Sequence, residues 1–174
     1  VNYNLIGSDT SLARVSVVNP GTLFTEIGVE IANSYASINE VEVLYWDTGI
    51  YVEFGQDVEI ARSEIALNTY GLWVDISTGT SVVNNLFLGN SVAGITSYVA
   101  SGGAILHNTF VGNAYGGSSQ LDFGGAIHLD ASADQVANNL LVNNYYGINC
   151  ESCLNSFSHN LVWGNTTNYT NEAK

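Results

Sequence analysis

Along most of the chain apolar and polar residues alternate with a period of two, the mark of strands with one buried face, and no stretch holds a helical 3.6-residue period. The clearest runs are "GVEIA" (28–32), "GIYVE" (49–53), "GLWVD" (71–75), "GITSY" (94–98), "AIHLD" (126–130) and "GINCE" (147–151). Between them lies a second set: "SEIALN" (63–68), "NLFLGN" (85–90), "NTFVGN" (108–113), "NLLVNN" (139–144) and "NLVWGN" (160–165). These align without gaps at steps of 22, 23, 31 and 21 residues, each with an apolar residue two places in: Ile65, Phe87, Phe110, Leu141 and Val162. Short strands are therefore predicted throughout, with Gly and Asn at the corners and a single proline, Pro20.

A step near 22 residues that holds two or three short strands suits one coil of a parallel β-helix. Coils stacked at the strand spacing of roughly 4.8 Å bring equivalent residues into columns along the axis. Asn85, Asn108, Asn139 and Asn160 are expected to form one ladder, and Asn68, Asn90, Asn113, Asn144 and Asn165 a second. Each amide would donate to one neighbour and accept from the other, with Asn also tolerating the left-handed backbone of the bend. Both ladders are read as scaffold.

The units "NNLFLGN", "HNTFVGN", "ANNLLVNN" and "HNLVWGN", with "GGAI" at 102–105 and 124–127, resemble the right-handed parallel β-helix superfamily. That is the fold of pectate lyases, polygalacturonases and many bacterial surface proteins. The resemblance covers residues 28–169 and implies an all-β chain: a single right-handed parallel β-helix solenoid of about six to seven coils. Residues 1–25 fit the repeat poorly and are expected to form an N-terminal cap or an irregular first coil. The solenoid would span 26–170 with a loop insertion at 114–123, followed by a polar tail at 171–174. The lack of any Met and of an apolar C-terminal cap suits a piece of a longer parent chain.

With scaffold set aside, function falls to the outward columns. Leu72 and Val74 face in, so Trp73 and Asp75 face out. One outward column is then Glu30, Tyr51, Trp73, Thr96, His128 and Asn149, and the next is Ala32, Glu53, Asp75, Tyr98, Asp130 and Glu151. Aromatic rings beside carboxylates on a flat sheet suit carbohydrate, whose CH faces stack and whose hydroxyls bond. Tyr51, Glu53, Trp73, Asp75, Tyr98, His128 and Asp130 are the candidate ligand-binding residues. Glu53 with Asp75, and Asp130 with Glu151, stack like charges; Ca²⁺ bridging either pair is the one candidate cofactor.

A catalytic arrangement also exists on this face. Asp75 and Asp130 stand two coils apart, about 9–10 Å by the sheet spacing, near the upper end used by inverting glycosidases, with His128 adjacent. The family's enzyme signatures are incomplete. Polygalacturonases carry paired aspartates, a Gly-His-Gly and an Arg-x-Lys, whereas "GGAIHLD" supplies only a His and an Asp. Lyases use Arg or Lys as base, and the only candidates are Arg14, Arg62 and Lys174. Arg62 falls in a different column, with Asn84, His107, Asn138 and His159. The balance is against catalysis, and a hydrolase is favoured over a lyase if there is any.

Charge and cysteine content narrow the partners. Three Lys plus Arg against sixteen Asp plus Glu give a net charge of -13, which repels nucleic acid and anionic membrane surfaces. No apolar run is long enough to span a bilayer. Cys150 and Cys153 are read as a local disulfide or as free thiols in a turn, because a four-Cys zinc site is impossible and no helix follows the first Cys. The long interval places "AYGGSSQLDF" (114–123) beside the "AIHLD" strand, where Tyr115, Gln120 and Asp122 could rim His128 and Asp130. The expectation is an extracellular or cell-surface domain, bacterial and secreted, that binds or displays, with carbohydrate or another surface ligand as partner. A polysaccharide hydrolase centred on Asp75, Asp130 and His128, and a structural stalk, are the alternatives.

Overall fold

The computed structural model describes residues 3–6, 10–19, 26–114 and 124–171. One coil consists of three short strands, as in Tyr70–Asp75, Ser81–Val83 and Leu86–Leu88. Equivalent strands of successive coils pair in parallel, giving a first sheet of eight strands and two further sheets of seven. The chain is an all-β solenoid, with no helix among the described residues. Tyr3–Ile6, Thr10–Ala13 and Ser16–Val18 each join one of the three sheets, so these parts of the first 25 residues extend the stack.

Strand alternation fills the interior with columns of like side chains. In the first sheet Val29, Ile50, Leu72, Ile95, Ile127 and Ile148 follow one another in register, and all are fully buried. In the third sheet Ile65, Phe87, Phe110 and Leu141 do the same, and the rings of Phe87 and Phe110 stack 4.8 Å apart at 6°. β-Branched and aromatic residues suit such positions because their bulk packs against the pleated neighbour above and below.

Both asparagine columns form continuous ladders. Each interior Asn side chain donates to the amide oxygen of the next coil and to a main-chain carbonyl of the coil before: Asn85 Nδ2 reaches Asn108 Oδ1 at 3.1 Å and the Ile60 carbonyl at 2.8 Å. The second ladder starts from Trp46 instead of an asparagine. Its N–H donates to Asn68 Oδ1, and its indole Nε1 donates to the Val17 carbonyl, the bond that an Asn amide would otherwise make.

The expectation that these asparagines themselves take the left-handed bend is corrected. Left-handed backbone falls on the residue just before: Arg62, Asn84, His107, Asn138 and His159 in one column, and Leu67, Gly89, Gly112, Asn143 and Gly164 in the other. The ladder Asn must turn its amide inward while its own N–H reaches the next Oδ1, so the bend is made one residue earlier. The glycines that open the strands of the first sheet serve the same corner. A Cβ on Gly71 would lie 2.5 Å from the Gly94 carbonyl and 3.0 Å from Asn90 Nδ2, so a side chain there would collide with the ladder.

Candidate functional site

Register in the first sheet sets the two outward columns side by side. Tyr51, Trp73, Thr96, His128 and Asn149 align in one, and Glu53, Asp75, Tyr98, Asp130 and Glu151 in the other. Trp73, Asp75, Thr96, Tyr98, His128 and Asp130 together line a cleft of about 460 Å³. Each carboxylate-column residue is followed at once by a left-handed corner, at Phe54, Ile76, Val99, Ala131 and Ser152, which fixes where the strand ends and the side chain points.

The expected flat, solvent-facing sheet is corrected to a cleft whose floor is buried. Thr96 and Asn149 are each 3% exposed and His128 is fully buried, whereas Tyr98 is 44% exposed. Alternation tells which side of the strand a residue occupies but not what stands beside it, and here the large side chains of Trp73 and Tyr98 flank the small Thr96.

Polar contacts organise the cleft. The Tyr51 hydroxyl donates to Asp75 Oδ2 at 3.4 Å. Burial, then the nearby carboxylates of Glu53 and Asp75, the hydrogen bond to Asp75 and the Glu30 charge push the Tyr51 phenol up to about 12, so it stays a neutral donor through the physiological range. Asp75 Oδ1 and the Thr96 hydroxyl are buried without a hydrogen-bond partner among the described residues. Tyr70 packs on Trp73 with ring centroids 4.9 Å apart and holds the indole in place.

His128 Nδ1 lies 3.0 Å from the side-chain amide nitrogen of Asn149, whose oxygen accepts from the Thr170 hydroxyl. An amide nitrogen only donates, so in this contact Nδ1 is the acceptor. Under the central cleft strand, Ser97 stands in the inward column between the apolar Val74 and Leu129. Its hydroxyl donates to Asp134 Oδ2, and the Gly103 N–H donates to the other oxygen. Burial pushes the Asp134 carboxyl up, and these two bonds pull it partly back.

Alternation predicts the places of Thr96 and Asn149 in the column but no role for either, and it does not single out Thr170 or Asp134. A threonine and an asparagine in register with a histidine were the available signal for the first three; Asp134 carries no repeat signature.

The acidic pairs lie as expected, Glu53 beside Asp75 and Asp130 beside Glu151. Ca²⁺ takes six to eight oxygens, and the described residues contain no group of three or more His, Cys, Asp or Glu able to hold a metal, so the two carboxylates of a pair do not by themselves fit the ion. His107 and His159 are exposed at the opposite corner, two coils apart with Asn138 between them. Arg14 and Arg62 occupy that corner too, both paired with Glu40, away from the cleft. Cys150 and Cys153 form a disulfide, with Cys150 fully buried in the core. Tyr115, Gln120 and Asp122 lie outside the described residues.

A family model described as "Right handed beta helix region" matches residues 27–171. Among solved structures, the A-module of the mannuronan C-5 epimerase AlgE4 from Azotobacter vinelandii is similar, with a TM-score of 0.54 and 12% identity. The match covers 98% of this chain but 56% of that module, so the chain spans little more than half of its length. HetL, a pentapeptide repeat protein involved in heterocyst differentiation regulation from the cyanobacterium Nostoc sp. strain PCC 7120, gives a TM-score of 0.16 at 8% identity, over 95% of this chain and 90% of that one. No curated protein matches the chain in sequence. By its three parallel sheets and the family match across most of its length, the chain belongs to the right-handed β-helix family.

Proposed function

We propose that this chain is a carbohydrate-binding β-helix domain of an extracellular or cell-surface protein, serving recognition or adhesion. The observation that carries the reading is the convergence of the Trp73 and Tyr98 rings with Asp75, Asp130 and the Thr96 hydroxyl in one cleft. Rings stack on the CH faces of a sugar while carboxylates and a hydroxyl take its O–H groups, and a solenoid face runs long enough to follow a polymer. The likeness to a module named for mannuronan epimerisation supports a polysaccharide as the ligand class.

A second reading has its own support. Asp75 and Asp130 bracket Tyr98 two coils apart, and the His128 ring is held at Nδ1 by the Asn149 amide, an arrangement open to hydrolysis with a water between acid and base. Glycan-array binding separates the alternatives. Binding that falls at least about tenfold in Trp73→Ala supports the recognition domain. Release of reducing ends that disappears in Asp130→Asn would move the assignment to a hydrolase, and absence of both would leave a structural stalk.

A further inference from the structure

We infer that the cleft takes an amino-sugar polymer, with the protonated amine held by Asp75 and Asp130, in preference to a neutral glycan or a polyuronate. The inference rests on the reading of this cleft as a glycan site and concerns the charge of its ligand.

Three observations carry it. First, the cleft is lined by carboxylates and, among the described residues, by no Lys or Arg: Arg14 and Arg62 sit at the opposite corner on Glu40. Asp75 is stacked on Glu53 of the coil before and Asp130 on Glu151 of the coil after, so carboxylates gather along this face and favour a cationic ligand. Second, Asp75 Oδ1 is buried with no donor among the described residues, a position that an ammonium group fills better than a hydroxyl because the bond is charge-assisted. Third, Thr96 is only 3% exposed, lines the same cleft and leaves its hydroxyl without a partner among the described residues. A buried, unsatisfied hydroxyl between two carboxylate-bearing coils is costly unless a ligand group reaches it.

A β-1,4-linked glucosamine hexamer and cellohexaose share linkage and length and differ at C2, where one carries an amine and the other a hydroxyl. Calorimetric titration at mildly acidic pH should show the amine polymer binding at least about tenfold more tightly than cellohexaose. Its affinity should fall as salt rises. Asp75→Asn and Asp130→Asn should each remove most of that preference. Glu64→Gln, which deletes the same charge on the third sheet, should leave it in place and so separate the cleft from the net charge of the molecule. Thr96→Val should keep the melting temperature and weaken binding.

Equal affinity for the two hexamers, unaffected by either Asn variant, would overturn the charge inference while leaving a glycan site. Preference for an oligouronate, whether alone or only with added Ca²⁺, would overturn it also. If no glycan of the panel binds, the reading of the cleft as a glycan site fails along with it.

Discussion

Each interior ladder asparagine serves four partners with one side chain. Asn90 accepts from the N–H and the amide of Asn68, and donates to the Ile65 carbonyl at 3.0 Å and to Asn113 Oδ1 at 2.9 Å. Truncation would strand buried donors and an acceptor on the coils before and after it at once. At about 1–3 kcal/mol for each group left unsatisfied, Asn90→Ala should destabilise the fold by roughly 3–5 kcal/mol. Asn165 belongs to the same column but sits partly open in the last coil, where water replaces what is lost. Asn165→Ala should therefore cost no more than about 1 kcal/mol. Urea denaturation of the two variants tests the difference, and equal losses would show that the ladder is not what holds the corner.

At the level of the strand and its corner, the cost lies in backbone conformation. Ile76 and Val99 are β-branched yet adopt φ of 45° and 50°, immediately after the cleft residues Asp75 and Tyr98. Left-handed backbone is unfavourable for such residues by about 1–2 kcal/mol, and it persists because their N–H groups continue the parallel ladder onto the Tyr98 and Asp130 carbonyls. Ile76 is 45% exposed, so removing its side chain sacrifices little packing. Ile76→Gly should then stabilise the protein by roughly 0.5–1 kcal/mol in thermal melts, whereas Val74→Gly, two residues earlier in the core, should destabilise it strongly. A destabilised Ile76→Gly would mean that the exposed side chain packs more than it strains. These corners also mark where the sequence stops being legible. The spacing of Asn85 and Asn90 and the alternation in "GLWVD" give strands, coil, ladders and the outward residues, because each depends on a period. Left-handed geometry at Phe54, Ile76 or Val99 depends on the neighbouring coil and leaves no mark in residue type. The burial of Thr96 and His128 is illegible for the same reason: facing follows from alternation, and cover does not.

Taken whole, the solenoid is a stack in which each coil touches only its neighbours, so stability is distributed along one dimension. The coil that holds Leu161–Trp163 is more open than those within the stack: Leu161 and Trp163 are 62% and 66% exposed, and Val162 is part-buried where Phe87 and Phe110 are fully enclosed. Amides of Leu161–Trp163 should exchange with deuterium well ahead of those in Leu86–Leu88 under native conditions. Uniform protection along the stack would show that the molecule opens only as one unit. The ladders carry a final consequence of a different kind. Asn85 meets Asn108 across 23 residues, and Asn108 meets Asn139 across 31, yet the two steps close with the same pair of bond lengths, 2.9 and 3.1 Å. The corner bond is thus indifferent to how much chain intervenes. Evolution can lengthen or replace the chain between two coils without re-threading the scaffold that the ladders hold.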